Sequence, residues 1–208
     1  MIRAVVSDFG GVLTAPLMGA FARLEDGLGV PGAAYPRAMA HSQEVEGVHP
    51  LFALERGEIT EREFLSRVER GLAATLGREV SLRELGTRLM SELHPNHELF
   101  DHYRGLRDGG LRFALCTNNV REWEPLWRAK LPIDEVFEVV VDSAFVGTRK
   151  PEPEIYAITL ERLGLPGEAC AFVDDVEINV AAAEAAGMHG VHFRDTAQAI
   201  AELDELVL

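Results

Sequence analysis

Short apolar runs that alternate with helical patterns are the feature that most constrains the fold of this chain. Five such runs are typical of buried strands: Ile2–Ser7, Leu111–Cys116, Val139–Val141, Ala169–Val173 and Gly190–Phe193. Helical periodicity fills three of the intervals, at Arg121–Lys130, Glu152–Leu163 and Val176–Ala186. Strands that alternate with helices of this length form βαβ units around a parallel sheet. The sequence therefore predicts an α/β fold.

Residues 16–92 interrupt this alternation with amphipathic helical patterns and no convincing strand. Two capping boxes are predicted there, one from Thr60 with Glu63 and one from Ser81 with Glu84. An all-helical block inserted after the first strand indicates a separate unit that covers one edge of the sheet. We expect a core domain of residues 1–15 and 93–208 and a helical cap domain of residues 16–92.

Length and charge limit the possible partners. The 208 residues, 47% of them apolar, suffice for one core with a small insertion, and no segment has the roughly 18 apolar residues that span a bilayer. The net charge of −14 argues against nucleic acid and anionic membranes as partners. The N-terminus lacks a signal-peptide pattern, and Cys116 and Cys170 lie in apolar runs. We expect a cytoplasmic protein with two buried, reduced thiols rather than a disulfide.

Polar residues follow three of the predicted strands and precede one helix. Asp8 ends the first strand, Thr117 and Asn118 follow the second, and the pair Asp174-Asp175 follows "ACAFV". Lys150 lies just before the helix that begins near Glu152. Because ligands bind at the carboxyl ends of the strands in open α/β sheets, these groups are expected to meet at one edge.

The chemistry of these groups favours a divalent cation. Carboxylates a few ångströms apart repel each other by roughly 4 kcal/mol per close pair at an intermediate effective dielectric. Magnesium would relieve that repulsion, and it prefers oxygen ligands together with a phosphate oxygen of the substrate. Asp8 could then attack phosphorus as a nucleophile and form an aspartyl-phosphate. Thr117 and Asn118 can donate hydrogen bonds to the phosphoryl group, whose charge Lys150 can balance.

The segments "DFGGVLT", "TNN", "RKPEPEIY" and "FVDDVEINVAAAEAAGM" resemble, in this order, the four motifs of the haloacid dehalogenase (HAD) superfamily. The resemblance covers nearly the whole chain and implies a three-layer Rossmann-like parallel sheet with an inserted, type-one α-helical cap domain. The segment "LERGEIT" is similar to a cap segment of the branch that includes the N-terminal phosphatase domain of soluble epoxide hydrolases.

The resemblance assigns a role to each matching residue. It implies that Asp8 is the nucleophile and a metal ligand, and that the backbone carbonyl of Gly10 is the second ligand. In the fourth motif, spacing from Gly187 matches Asp175 to the metal-binding aspartate. Asp174 and Asn179 would then orient waters or Lys150 without binding the metal.

Gly10 departs from the family pattern, since most phosphatases of the superfamily have an aspartate there as general acid and base. General acid and base catalysis typically raises the rate by a factor of about 10²–10⁴. Three explanations remain open. A polar group of the cap replaces the aspartate, with candidates His41, Glu44, Glu46 and His49; the substrate has a good leaving group, as an anomeric sugar phosphate or an acyl phosphate has; or the protein turns over poorly.

The sequence thus predicts a Mg²⁺-dependent phosphatase for a small phosphorylated metabolite, a sugar phosphate being one candidate. The alternative is a catalytically weak protein that binds or senses a phosphorylated ligand. Trp123 and Trp127 are expected to pack at the junction of core and cap or in an oligomer contact, and Arg149 to be solvated. Met18 and Phe21 are candidates to line the entrance of the cap.

Overall fold

A computed structural model of the protein describes residues 1–207, without the side chains of Leu17, Met18, Phe21, Leu24, Glu25 and Asp26. The role considered for Met18 and Phe21 therefore lies outside the described residues.

Residues 1–207 contain one sheet of five parallel strands. The strands are β1 (Ala4–Ser7), β2 (Arg112–Thr117), β3 (Val139–Asp142), β4 (Cys170–Asp174) and β5 (His189–His192). Their order is β3-β2-β1-β4-β5, so that β1 lies in the centre and pairs with β2 and β4. Each observed strand lies within about two residues of its predicted limits. The predicted α/β fold with a parallel sheet is confirmed.

Helices surround the sheet and fill the long interval after β1. The α-helices of the described residues are α1 (Leu17–Leu28), α2 (Ala34–Glu46), α3 (Pro50–Glu55), α4 (Glu61–Leu76), α5 (Leu85–Glu92), α6 (His97–Asp108), α7 (Glu124–Arg128), α8 (Ile133–Val136), α9 (Ser143–Val146), α10 (Pro153–Leu163), α11 (Glu177–Ala185) and α12 (Thr196–Val207). The predicted helix Arg121–Lys130 is shorter than expected, because it begins as a 3₁₀ turn at Arg121–Trp123.

The side chains of β1 alternate between two apolar clusters, one on each face of the sheet. Ala4 and Val6 belong to a cluster that includes Ile155 and Phe172. Val5 belongs to a larger cluster that continues into the helices between residues 17 and 92. Because both faces are covered, all four residues of β1 are buried, as is typical of a central parallel strand.

The helices α1–α5 form an insertion between β1 and α6, and we call residues 17–92 the helical insertion. Its two connections run side by side, since Thr14 and Pro95 form an antiparallel bridge. The amide of Ala15 donates to the carbonyl of His94 at 2.8 Å, and that of Asn96 donates to Leu13 at 2.9 Å. The insertion thus leaves and rejoins the sheet at one place next to the end of β1. Its division from the core as a separate domain stays a prediction.

One of the two predicted capping boxes is confirmed. Thr60 caps α4 through the amide of Glu63, whose side chain accepts from the amide of Thr60. The prediction of a capping box from Ser81 and Glu84 is wrong. Glu84 has a left-handed backbone (φ 60°), and α5 begins only at the next residue. The side chain of Glu69 accepts from the amide of Leu82 and holds this segment in a turn instead.

The remaining expectations concern thiols and membranes. Cys116 and Cys170 are free and buried, as expected for reduced thiols in apolar strands. In the portion of the chain that the structure describes, no helix combines the length and the apolarity needed to cross a bilayer.

Candidate active site

Asp8 occupies the first position after the central strand. Its amide donates to the carbonyl of Val173 in β4 at 2.8 Å, which continues the ladder between the two strands beyond the end of β1. The hydroxyl of Ser7 donates to the carbonyl of Asp8 at 2.7 Å. These contacts fix the backbone of Asp8, and only 8% of the residue remains exposed. A buried carboxylate is therefore held at the carboxyl edge of the sheet.

Lys150 joins two of the predicted carboxylates. Its Nζ lies 2.8 Å from Oδ1 of Asp8 and 2.6 Å from Oδ2 of Asp174, and the residue is 1% exposed. Burial disfavours the ammonium form, but Asp174 and Asp8 outweigh this effect and raise the pKa of Lys150 above its ordinary value. Lys150 is therefore a fixed positive charge next to Asp8 in a protein of strongly negative net charge.

Asp174 is surrounded by donors from three directions. Besides Lys150, the amide of Val176 donates to its Oδ1 at 2.9 Å, and Nδ2 of Asn179 donates to the same oxygen at 3.0 Å. Asp174 is fully buried, and these hydrogen bonds occupy both of its oxygens. The arrangement suits a residue that orients Lys150, and it explains why an asparagine stands at position 179.

Asp8, Asp174 and Asp175 form an acidic cluster in which carboxylate oxygens of all three residues lie within 4.8 Å of one another. Burial and repulsion by Asp174 outweigh the attraction of Lys150 and raise the pKa of Asp8 to about 7. Burial and Asp174 also raise the pKa of Asp175. Both pKa shifts reflect first the cost of burying a negative charge and then its repulsion by the carboxylate of Asp174.

The acidic cluster fits a magnesium ion. Hydrogen bonds occupy both oxygens of Asp174, so Asp8 and Asp175 are the carboxylates of the cluster that could bind a cation. Their role as ligands stays a prediction. Asp175 also presses against the backbone at Gly11, where φ is +85° and an added Cβ would lie 2.2 Å from Oδ2 of Asp175. A residue without a side chain is thus needed for the loop after β1 to approach Asp175.

Thr117 and Asn118 lie at the end of β2, beside β1 in the sheet. Thr117 is the last residue of the strand and is 1% exposed. The side chain of Asn118 makes two hydrogen bonds to the backbone of Lys150: its Oδ1 accepts from the amide at 2.8 Å and its Nδ2 donates to the carbonyl at 3.0 Å. The sequence did not predict this anchoring of Lys150, since the two residues are 32 positions apart.

Gly10 faces open space. A Cβ built at this position meets no atom within 4 Å, and Gly10 is not among the glycines with positive φ. It lines a cavity of about 110 Å³, which we call the chamber. The chamber extends from the site residues Gly10, Thr117 and Asn118 into the helical insertion. The position where an aspartate is expected therefore has room for a Cβ.

Glu55 is the one carboxylate among the described residues that line the chamber, and it is a residue that the sequence analysis missed. It pairs with Nε of Arg149, and both side chains are 14% exposed. The guanidinium of Arg149 also lies 4.1 Å from the centre of the Phe52 ring. The expectation that Arg149 is solvated is therefore wrong, because the end of α3 covers it.

Glu55 belongs to the segment "LERGEIT", which resembles a cap segment of the family but predicts no role for this residue. Burial raises the pKa of Glu55, although Arg149 opposes the shift. The four polar residues considered as replacements for the missing aspartate do not line the chamber. Glu46 pairs with Arg70, His49 stacks on Phe52 at 4.2 Å, and His41 and Glu44 are exposed.

Trp123 and Trp127 lie where the core meets the helical insertion, as the sequence predicts. Trp127 is fully buried and packs on Phe9 with ring centres 5.2 Å apart. The indole N–H of Trp123 donates to Glu61 at 2.8 Å across that junction. Gly86 is required there, since an added Cβ would lie 2.1 Å from Nε1 of Trp123. Trp123 also lines the chamber.

The sequence of this chain is similar to those of known proteins. Among curated proteins, the chain is 26% identical over 220 residues to the bifunctional epoxide hydrolase 2 of Mus musculus, covering 99% of this chain and 39% of that protein. It is 31% identical over 122 residues to the sesquiterpene phosphatase astK of Aspergillus oryzae, covering 55% of this chain and 59% of that protein. The chain thus spans well under two thirds of these relatives.

Two solved structures share the fold. A HAD-like family hydrolase from Porphyromonas gingivalis has a TM-score of 0.72 at 26% identity, with 98% of both chains covered. The HAD family enzyme bt-2542 of Bacteroides thetaiotaomicron, solved with magnesium and inorganic phosphate, has a TM-score of 0.67 at 22% identity, with 93% of this chain and 95% of that chain covered. The model of the haloacid dehalogenase-like hydrolases matches residues 2–187. The chain therefore belongs to the haloacid dehalogenase-like hydrolases.

Proposed function

We propose that this hydrolase is a Mg²⁺-dependent phosphatase that cleaves a small phosphorylated metabolite through an aspartyl-phosphate on Asp8. The observation that carries the proposal is the acidic cluster with a buried lysine: Asp8 lies 2.8 Å from Lys150 and within reach of the carboxylate of Asp175. The sesquiterpene phosphatase among the relatives and the magnesium and phosphate in the bt-2542 structure support the same chemistry.

Asp8 and Asp175, together with the backbone carbonyl of Gly10, would hold the cation. Bound there, magnesium would neutralise the acidic cluster and polarise the phosphoryl group. Asp8 must be ionised to act as a nucleophile, and Lys150 favours that form. The carboxylate of Asp8 attacks phosphorus, the bond from phosphorus to the ester oxygen breaks, and the leaving alkoxide takes its proton from solvent water.

Thr117, Asn118 and Lys150 are the groups proposed to bind the phosphoryl oxygens. Thr117 and Asn118 would donate hydrogen bonds, and the positive charge of Lys150 would balance the charge that develops on phosphorus. Asn118 has a second role, because its side chain fixes the backbone of Lys150. Water then attacks the aspartyl-phosphate, which releases inorganic phosphate and restores the carboxylate of Asp8.

Gly10 favours a second candidate function, a catalytically weak protein that binds or senses a phosphorylated ligand. With a glycine at this position, the site lacks the aspartate that protonates the leaving group and activates water. General acid and base catalysis of this kind typically contributes about 10²–10⁴ in rate. Such a protein would form the aspartyl-phosphate and release it slowly.

Burst kinetics distinguish the two functions. The protein is mixed with p-nitrophenyl phosphate with Mg²⁺ or with EDTA, and p-nitrophenol is followed from the first milliseconds. A phosphatase gives sustained turnover that requires Mg²⁺ and stops with EDTA. A burst of one equivalent of p-nitrophenol per protein, followed by slow further release as the aspartyl-phosphate hydrolyses, indicates the catalytically weak protein. Hydrolysis that is unaffected by EDTA contradicts the magnesium site.

A further inference from the structure

We propose that the chamber binds the leaving group of the substrate, and that it selects phosphomonoesters of small apolar alcohols of about three or four carbon atoms over sugar phosphates. The proposal rests on the proposed phosphatase function, since it names the substrate class of the same site. It is carried by the lining, the size and the polar contacts of the chamber.

The chamber begins where the phosphoryl group would be bound. Gly10, Thr117 and Asn118 line both the predicted phosphate site and the chamber. Position 10 has no side chain and nothing lies within 4 Å of an added Cβ, so residue 10 does not close off the phosphate site from the chamber. A phosphate ester that places its phosphorus next to Asp8 therefore directs its ester oxygen and carbon chain toward the chamber.

The inner walls of the chamber are apolar. They are formed mainly by buried or partly buried side chains from the helical insertion and from the segment after β2, among them Met39, Leu51, Phe64, Leu89, Met90 and Trp123. Leu89 is fully buried and Phe64 is 4% exposed. An alkyl chain bound here leaves water for an apolar surface, which is favourable by a factor of about four per methylene group.

Two polar groups at the chamber already have partners within the protein. The indole N–H of Trp123 donates to Glu61, whose carboxylate also accepts from the amide of Gly86. The carboxylate of Glu55 is paired with Arg149. A sugar hydroxyl that binds at either of these two groups has to compete with their partners, which weakens its binding.

The volume sets the length of the leaving group. The chamber measures about 110 Å³. An apolar protein cavity of about 150 Å³ accommodates benzene. The chamber has about three quarters of that volume, and a saturated carbon takes more room than an aromatic one, so it holds a chain of about three or four carbon atoms. Longer chains must displace wall residues.

A series of alkyl phosphates tests the proposal. We expect kcat/KM with Mg²⁺ to rise about fourfold per carbon from methyl to butyl phosphate and to level off or fall at hexyl phosphate. Glycerol phosphate should be at least about tenfold poorer than butyl phosphate, and glucose 6-phosphate poorer still. Binding of the corresponding alkylphosphonates, measured by calorimetry, reports the same preference without turnover.

Leu89→Ala enlarges the chamber and should move the optimum to longer chains by about two carbons. Leu89→Val makes a smaller change and should move the optimum by about one carbon. This variant keeps the test valid if the alanine variant does not fold. Leu72→Ala is the matched control, because Leu72 is equally buried in the helical insertion but does not line the chamber. It should leave the optimum unchanged.

The outcomes separate this inference from the phosphatase proposal. Mg²⁺-dependent hydrolysis with no chain-length preference, or with a sugar phosphate as the best substrate, overturns the inference and leaves the phosphatase. No hydrolysis but phosphonate binding that strengthens with chain length supports the chamber and overturns the phosphatase. An optimum that moves equally in Leu72→Ala and Leu89→Ala also overturns the inference.

Discussion

The acidic cluster and the chamber share one opening, but they are built in opposite ways. Asp8, Asp174 and Asp175 lie at the ends of two neighbouring strands, where backbone pairing fixes Asp8 and Asp174. The chamber wall comes from α2, α3, α4, α5 and the segment after β2, whose side chains pack without hydrogen-bonded register. The first region therefore requires particular residues, whereas the second requires only apolar side chains of suitable volume. Chemistry and substrate choice can change independently in such a molecule.

Asp8→Asn should have the largest effect, because it removes the nucleophile and leaves the chamber intact. An amide oxygen does not attack phosphorus, so we expect phosphate release to fall by about 10⁴-fold or more. The fold should persist, since the change is nearly isosteric and Lys150 keeps Asp174 at 2.6 Å. Circular dichroism checks the fold. Alkylphosphonate binding should keep its dependence on chain length, and activity within tenfold of the wild type would refute Asp8 as nucleophile.

Gly10→Asp should produce the second largest effect by placing a carboxyl group at the boundary between the two regions. The backbone at Gly10 has room for a side chain, so the variant supplies the missing acid and base. We expect hydrolysis of alkyl phosphates, which have poor leaving groups, to rise about 10²-fold, with a smaller gain for p-nitrophenyl phosphate.

Gly11→Ala is the matched control for that gain. Its Cβ would meet Asp175, and φ at Gly11 is +85°, so activity should fall. Equal losses in Gly10→Asp and Gly11→Ala would show that neither position tolerates a side chain.

The two regions also differ in how much of them the sequence predicts. Asp8, Thr117 and Asp174 each lie within one residue of the end of an apolar strand, so strand periodicity alone brings them to one edge. Lys150 lies in a loop, and its position depends on two hydrogen bonds between its backbone and the side chain of Asn118, which no sequence pattern predicts.

The chamber is harder to predict, because an apolar side chain on a helix has the same pattern whether it packs in a core or faces a cavity. Leu72 and Leu89 are both fully buried in helices of the insertion, yet only Leu89 lines the chamber. The pairing of Glu55 with Arg149 spans 94 residues and depends on how α3 lies over the core. The relative placement of helices and sheet decides such contacts, and it is not encoded in any local period.

Glu55→Gln tests the charged group of the chamber wall. Arg149 would lose the carboxylate of its ion-pair partner, while its own side chain stays only 14% exposed. We therefore expect the free energy of unfolding to fall by roughly 2 kcal/mol. Glu46→Gln is the matched control: its partner Arg70 is 59% exposed, and the change should cost less than about 0.5 kcal/mol. Urea unfolding measures both. Equal losses would show that the Glu55–Arg149 pair behaves as a surface pair.

The smallest effect concerns the competition between protons and magnesium in the acidic cluster. The pKa of Asp8 is about 7, above its ordinary value of 3.8. The folded state therefore binds this proton more tightly than the unfolded chain. The stability that the proton contributes is fully present below about pH 4 and is lost as the pH rises through about 7.

Magnesium requires the ionised carboxylate, so its affinity should rise about tenfold per pH unit up to roughly pH 7 and then level off. Calorimetric titration with Mg²⁺ at pH 5.5, 6.5, 7.5 and 8.5 measures this directly. Asp142→Asn is the control, because Asp142 lies at the end of β3 with a pKa raised by burial to about 6, yet it is outside the acidic cluster. Removing it should leave the Mg²⁺ profile unchanged. A flat profile in the wild type would mean that the cation does not displace a proton from Asp8. The cation would then have to bind another carboxylate of the acidic cluster.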